Sequence, residues 1–171
     1  MVASAIIMAA SAVALIQYRS VRQVLDADVA LAAVTSQMRY ARQIAIDQRR
    51  NVGIEFLLPG TIEVVRWDDA VNTTSMAVTP LPGGYTFSMP MGAPDTPDGF
   101  GNDAAVDFGA DDVTGGTFLA DGTFVDVTNS ILNGSVFTMS QTAGTARVAT
   151  LSGATGRTKR YAWVDAGWEA Q

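Results

Sequence analysis

The first glycine of this chain is Gly53, its first proline is Pro59 and its first charge is Arg19. A start without a helix breaker (MVASAIIMAASAVALIQYRSVRQVLDADVAL and onward) predicts one helix from about Val2 to Gln48, roughly 70 Å long at ~1.5 Å per residue. It is apolar for its first third and patterned after that. Val24, Ala27, Leu31, Val34, Met38, Ala41 and Ala45 step alternately by three and four residues. That spacing draws one apolar seam along a helix, with Arg22, Asp26, Asp28, Arg39 and Arg42 off it. Arg49-Arg50 suit the negative end of the helix dipole, and Asn51-Val52-Gly53 lets the chain leave.

Three readings of the opening are open: a cleaved signal peptide, a plain membrane anchor, or the packing stem of a subunit that assembles. A signal peptide starts with a basic segment. None precedes the apolar run here, although Ala10-Ser11-Ala12 and Ala12-Val13-Ala14 supply small residues. The helical pattern also continues past any cleavage point. The first 18 residues would span about 27 Å, slightly short of the ~30 Å hydrocarbon core of a bilayer.

After residue 50 the pattern changes to period two. NVGIEFLL (51–58) and TIEVVRW (61–67) flank Pro59-Gly60 and predict a hairpin. SMAVTPL (75–81) and GYTFSMP (84–90) form another expected pair around Pro82-Gly83-Gly84. Residues 92–116 read as a loop rich in Gly, Pro and Asp, TFLADGTFVDV as a tight hairpin, and 134–140, 146–152 and 157–164 as short strands. The expected fold is α+β: a long N-terminal helix packed by its seam on an antiparallel β-sheet head, with no repeat. Residues 1–22 would be a hydrophobic stem, and 23–171 a globular head made of an amphipathic helix (23–48) and a β-rich part (51–171).

Charge divides at the same place. Residues 1–50 carry six Arg against three Asp (+3), and 51–171 carry five basic against fourteen acidic residues (−9). A basic stem bearing an acidic head points to parts in different environments. There is no Cys and no His, which removes disulfides, thiol nucleophiles, the usual general base and the commonest metal ligand. No nucleophile elbow, phosphate loop, dinucleotide fingerprint or zinc-protease motif occurs either. The expectation is a protein without catalysis and without a cofactor. Calcium is the one ion that the loop carrying Asp95, Asp98, Asp103, Asp107, Asp111 and Asp112 could take, but the spacing fits no calcium-loop pattern. A solvated acidic loop is the expectation, and Trp67, Trp163 and Trp168 are expected in the core or on sheet faces.

The opening MVASAIIMAASAVALIQY resembles the N-terminal helix of type IV pilins and type II secretion pseudopilins, with Met1, Val2, Ala5, Ile6, Ile7, Ala12, Ala14, Gln17 and Tyr18 coinciding without a gap. MRYARQIAIDQRRNVGIEF, FLADGTFVD and RVATLSGATGRTKRYAW are similar to the helix exit, the F-x-x-D-G hairpin and the terminal S-x-x-G-R strand of the GspH/FimT minor pseudopilins. Two features depart from the pattern. The prepilin peptidase motif and its glutamate are missing, so Met1 falls about six residues inside the usual mature start, and a truncated or misassigned start is the expectation. Ile16 stands where proline is usual, and Met8 where glycine is frequent.

The resemblance implies a structural filament subunit without enzymatic activity. Its assembly stem would carry Val2, Ile6, Ile7, Val13, Leu15 and Ile16. Val24, Ala27, Leu31, Val34, Met38, Ala41 and Ala45 would fix the helix to the head. Its partners would be other pilins or pseudopilins of the same filament, and the inner membrane before assembly. The head would be periplasmic, later within a periplasmic pseudopilus or a cell-surface pilus, and N-terminal methylation belongs to the same pattern. Two other readings are a membrane-anchored periplasmic β domain that does not assemble and a DNA-binding competence pilin. FimT-type pilins carry a G-R-x-R element that contacts DNA. Here Gly156-Arg157-Thr158-Lys159 ends in Lys, and Arg157, Lys159 and Arg160 are the candidate contacts. On a strand, Arg157 and Lys159 share a face and Arg160 points away. The alternative is a solvated strand end that balances acids such as Asp165 and Glu169.

Overall fold

The computed structural model describes residues 2–69, 71–109 and 114–171, with side chains in the opening helix described at Tyr18 and from Val21 onward. One helix, α1, runs Val2–Gln48. It ends where Arg49 takes a left-handed backbone and the Arg50 amide donates back to the Ala45 carbonyl, 3.2 Å away. Burial follows the seam: Ala27, Ala30, Leu31, Val34, Met38, Ala41 and Ala45 are essentially inaccessible. Val24, expected on that seam, is 47% exposed. The head reaches its neighbours without covering it: Tyr85 Oη donates to the Gln23 carbonyl and Gly83 lies beside Asp26.

The strands divide between two antiparallel sheets. In the first, β1 (Val52–Leu57) pairs β2 (Thr61–Trp67), which pairs β3 (Thr73–Pro80). The other edge of β1 takes β6 (Gly115–Phe118), followed by β7 (Phe124–Val125). The second sheet has β4 (Thr86–Phe87) and β5 (Val106–Asp107) beside β8 (Gly134–Met139), then β9 (Arg147–Ser152), β10 (Arg157–Val164) and β11 (Gly167–Ala170). The hairpin expected between residues 75–81 and 84–90 does not form. A 3₁₀ turn at Pro82–Gly84 instead carries the chain from β3 in one sheet to β4 in the other. Two strands lie outside the expected set. β5 falls inside the segment expected as loop, and β11 lies at the C-terminus.

The main core is the space between the α1 seam and the inner faces of both sheets. Ile54, Phe56, Ile62, Val64 and Phe118 come from one side, and Phe87, Val136, Ala149 and Leu151 from the other. Alternation places Phe137, Val148 and Tyr161 on the opposite face of the second sheet, where Met89 and Trp168 cover them. The segment before β5 therefore acts as a cover, and the solvated loop expected there is not what forms. Trp168 Nε1 donates to the Pro94 carbonyl at 3.0 Å, and Ser135 Oγ to the Gly101 carbonyl at 3.0 Å. Asp98 is the anchor, with its side chain 11% exposed. Its Oδ2 accepts from Thr150 Oγ1 (2.6 Å) and Tyr161 Oη (2.8 Å), and its Oδ1 accepts from Lys159 Nζ. Asp107, also buried, accepts the amides of Asp103 and Gly109.

Candidate functional site

The stem side chains Val2, Ile6, Ile7, Val13, Leu15 and Ile16 lie outside the described residues, although their backbone belongs to α1. Among the described residues, no helix is long and apolar enough to cross a membrane. What the structure does show is the part of α1 that faces away from the head. Tyr18, Val21, Leu25 and Val29 are each more than half exposed, and Tyr40 nearly as much. Their spacing of three and four residues aligns them. At about 100° per residue they sit half a turn from the seam. Ala32 and Ser36, both exposed, continue the row. From Val21 to Leu25 every side chain is exposed, and the contact described there is the Tyr85 hydroxyl on the Gln23 carbonyl.

The flank of α1 between seam and stripe is basic. Arg42 is clasped there by two hairpin tips. Its Nε donates to the Gly122 carbonyl at 3.2 Å. Gly156 lies against the same guanidinium, so that a β-carbon on it would stand 2.3 Å from Arg42 Nε and 2.5 Å from the Gly122 carbonyl oxygen. Both glycines have positive φ (85° and 61°), which most side chains resist. The ARQIAI, ADG and ATGR stretches singled out in the sequence thus meet at one point. Beside it a cleft of about 440 Å³ runs between α1 and β10, lined by Arg39, Arg42, Gln43, Arg157 and Thr158. Arg39 also lines the adjoining depression, together with Lys159 and Arg160. Among the described residues, none of these four arginines forms an ion pair.

Of the three cations expected at the strand end, Arg157 lines this cleft and Arg160 the depression that adjoins it. Lys159 shares the strand face of Arg157 and also borders that depression, but its ammonium is held by Asp98 and not by Asp165 or Glu169. Partial burial pushes the Asp98 carboxyl up, but the hydrogen bonds from Lys159, Thr150 and Tyr161 outweigh it and hold it below the ordinary carboxylate range. The same contact raises Lys159. Sequence reasoning missed Arg39 and Arg42 as partners of Arg157, because nothing local links positions more than 100 apart. Among the described residues, no three or more acidic side chains converge as a metal cage would require; Asp111 and Asp112 lie outside those residues.

No protein-family model matches the chain, and no curated protein matches it. Among solved structures, the fold is similar to the crystal structure of the type IV minor pilin FimU of Pseudomonas aeruginosa PAO1. The TM-score is 0.53 at 16% identity, over 89% of this chain and 96% of that one. The chain therefore has a type IV pilin-like α+β fold: one N-terminal helix packed on antiparallel sheet.

Proposed function

We propose that the chain is a pilin-like structural subunit, without enzymatic activity, that joins a filament of the type IV pilus or type II secretion pseudopilus kind. The observation that carries this reading is the apolar stripe of α1 (Tyr18, Val21, Leu25, Val29), exposed on a helix that leaves its own head behind. A monomeric protein rarely displays such a row unless something covers it. The pilin-like fold supports parallel helices of neighbouring subunits as that cover. The finer reading is a minor subunit of the GspH/FimT type. It would be held in the inner membrane by the stem of residues 1–22, with its head in the periplasm, until the helix is buried among others.

Small residues in the stem (Ala3, Ser4, Ala9, Ala10, Ser11, Ala12, Ala14) let helices approach closely where lipid gives no hydrophobic drive. Lys159 weighs against the competence-pilin alternative at the strand end, since Asp98 already holds its ammonium. The test is to purify filaments from cells producing the full chain and to detect it within them. The expected result is incorporation that is lost when Leu25→Glu charges the stripe. A chain that stays in the membrane fraction while filaments form around it would overturn the reading.

A further inference from the structure

Among the described residues, two charged surfaces of the head lack an ion-pair partner, and they lie on different sides of it. The first is the cleft of Arg39, Arg42, Arg157 and Arg160, cationic in a chain of net charge −6. The second is on the outer face of the first sheet. Alternation turns Ile54, Phe56, Ile62 and Val64 toward α1, so Glu55 and Glu63 point the other way. They are directly opposed in the β1–β2 ladder, where like charges repel. Ser75 Oγ donates to Glu63 at 2.8 Å. Among the described residues, neither glutamate has a cationic partner. The next partner of Glu55 is Gly115, which has no side chain, and that of Glu63 is Val78, 60% exposed.

We propose that the arginine cleft of one copy receives the Glu55–Glu63 face of a second copy. The inference rests on the filament reading above in its general form, not on the minor-subunit form, and names a head contact between consecutive copies. Guanidinium groups pair with carboxylates in two-pronged geometry, and their aliphatic stems can lie on Val78 and Leu57 of the same face. One contact thus relieves the repulsion on the sheet and the unpaired charge in the cleft. Because the two surfaces differ, each copy keeps one of each after pairing. Such a contact repeats head to tail and builds an open chain unless its rotation happens to close. The cleft borders α1, and the glutamates face away from it, so both can be engaged at once.

The absence of cysteine makes a direct test clean. The full chain carrying Gln43→Cys and Ser75→Cys, which flank the two surfaces and leave every charge in place, is treated with a short bis-maleimide. Trimers and higher species are expected from the double variant, and nothing beyond dimers from either single variant. Glu55→Lys/Glu63→Lys should abolish the ladder, and Arg39→Glu/Arg157→Glu in the same chain should restore it. The ladder should fade as salt shortens the Debye length from ~10 Å at about 0.1 M to ~3 Å at about 1 M. No ladder from chains that are present in filaments would overturn this contact and leave the filament reading standing. Chains that neither cross-link nor enter filaments would overturn both. Retention of a short DNA duplex that depends on Arg39 and Arg157, with no ladder, would assign the cleft to phosphodiesters and also overturn the proposal.

Discussion

Arg42 Nε donates to the carbonyl oxygen of Gly122 at 3.2 Å, across 80 residues of sequence. That bond joins the last turns of α1 to the tip of the β6–β7 hairpin, and Gly156 closes the contact from the β9–β10 turn. Three segments that are remote in sequence are thus fixed at one arginine, which also forms one wall of the basic cleft.

Gly156→Ala should destabilise the head, because its left-handed backbone alone costs a side chain about 1–3 kcal/mol and the added carbon meets Arg42. In an Arg42→Ala background the same change should cost less than it does alone, since part of the clash is gone. The residue left would reflect the Gly122 carbonyl, 2.5 Å from the added carbon. A double-mutant cycle by urea denaturation measures this. Strict additivity would show that Arg42 and Gly156 do not share a contact.

Acid should free the cover over the outer face of the second sheet. Asp98 has a folded pKa below its unfolded value, near 3.9. Its contribution is therefore present above about pH 4 and is lost as pH falls through the depressed value. Lys159, raised by the same pair, contributes fully below its unfolded pKa near 10.4 and loses that contribution as pH rises through its folded value. The fluorescence of Trp168, which the cover bonds through Pro94, should change at the acid edge. Asp98→Asn should show the released signal already at neutral pH. A wild-type signal in Asp98→Asn would rule out Asp98 as the anchor.

How much of this was legible in the sequence follows the range of each interaction. The helix and its seam are local, and six residues at alternating fours and threes disclose them from Ala27 to Ala45. Val24 has the right spacing but the head leaves its side chain half-exposed, which spacing cannot reveal. The β1–β2 hairpin is readable because Pro59-Gly60 joins adjacent strands. The turn at Pro82-Gly83-Gly84 has the same chemistry, yet it links β3 and β4 of different sheets, and turn residues do not specify which sheet follows. β5 is two residues long and hidden among Asp and Gly. Arg39 and Arg42 look like ordinary solvated helix positions, and only the fold brings Arg157 and Arg160 beside them.

Arg147 is 4% exposed at its side chain and donates from Nε to Asp28 Oδ1 at 2.8 Å, tying β9 to α1. Asp28→Ala should cost about 1–3 kcal/mol, the range for a buried donor left without its acceptor. Arg147→Met should be close to neutral or stabilising, because no buried charge then remains. Thermal unfolding of both variants decides it. Equal losses would mean that the pair acts through packing alone.

The two faces of α1 should separate stability from assembly. Leu31 is fully buried against both sheets, and Leu31→Ala should cost about 2–5 kcal/mol through lost transfer energy and the cavity left behind. Leu25 lies six residues earlier on the same helix but 58% exposed. Leu25→Ala should leave the unfolding free energy within about 0.5 kcal/mol, as surface substitutions do. If the exposed stripe is covered by neighbouring helices, Leu25→Ala should lower incorporation into filaments, and Val29→Ala should deepen the defect. Leu31→Ala should instead reduce the amount of folded chain before any assembly step. The comparison therefore needs two measurements on each variant: urea denaturation of the purified full chain in detergent, and its abundance in purified filaments relative to the membrane fraction. A Leu25→Ala/Val29→Ala chain with wild-type stability and wild-type incorporation would mean that the stripe is bare surface, and the case for helix-mediated assembly would lose its main support.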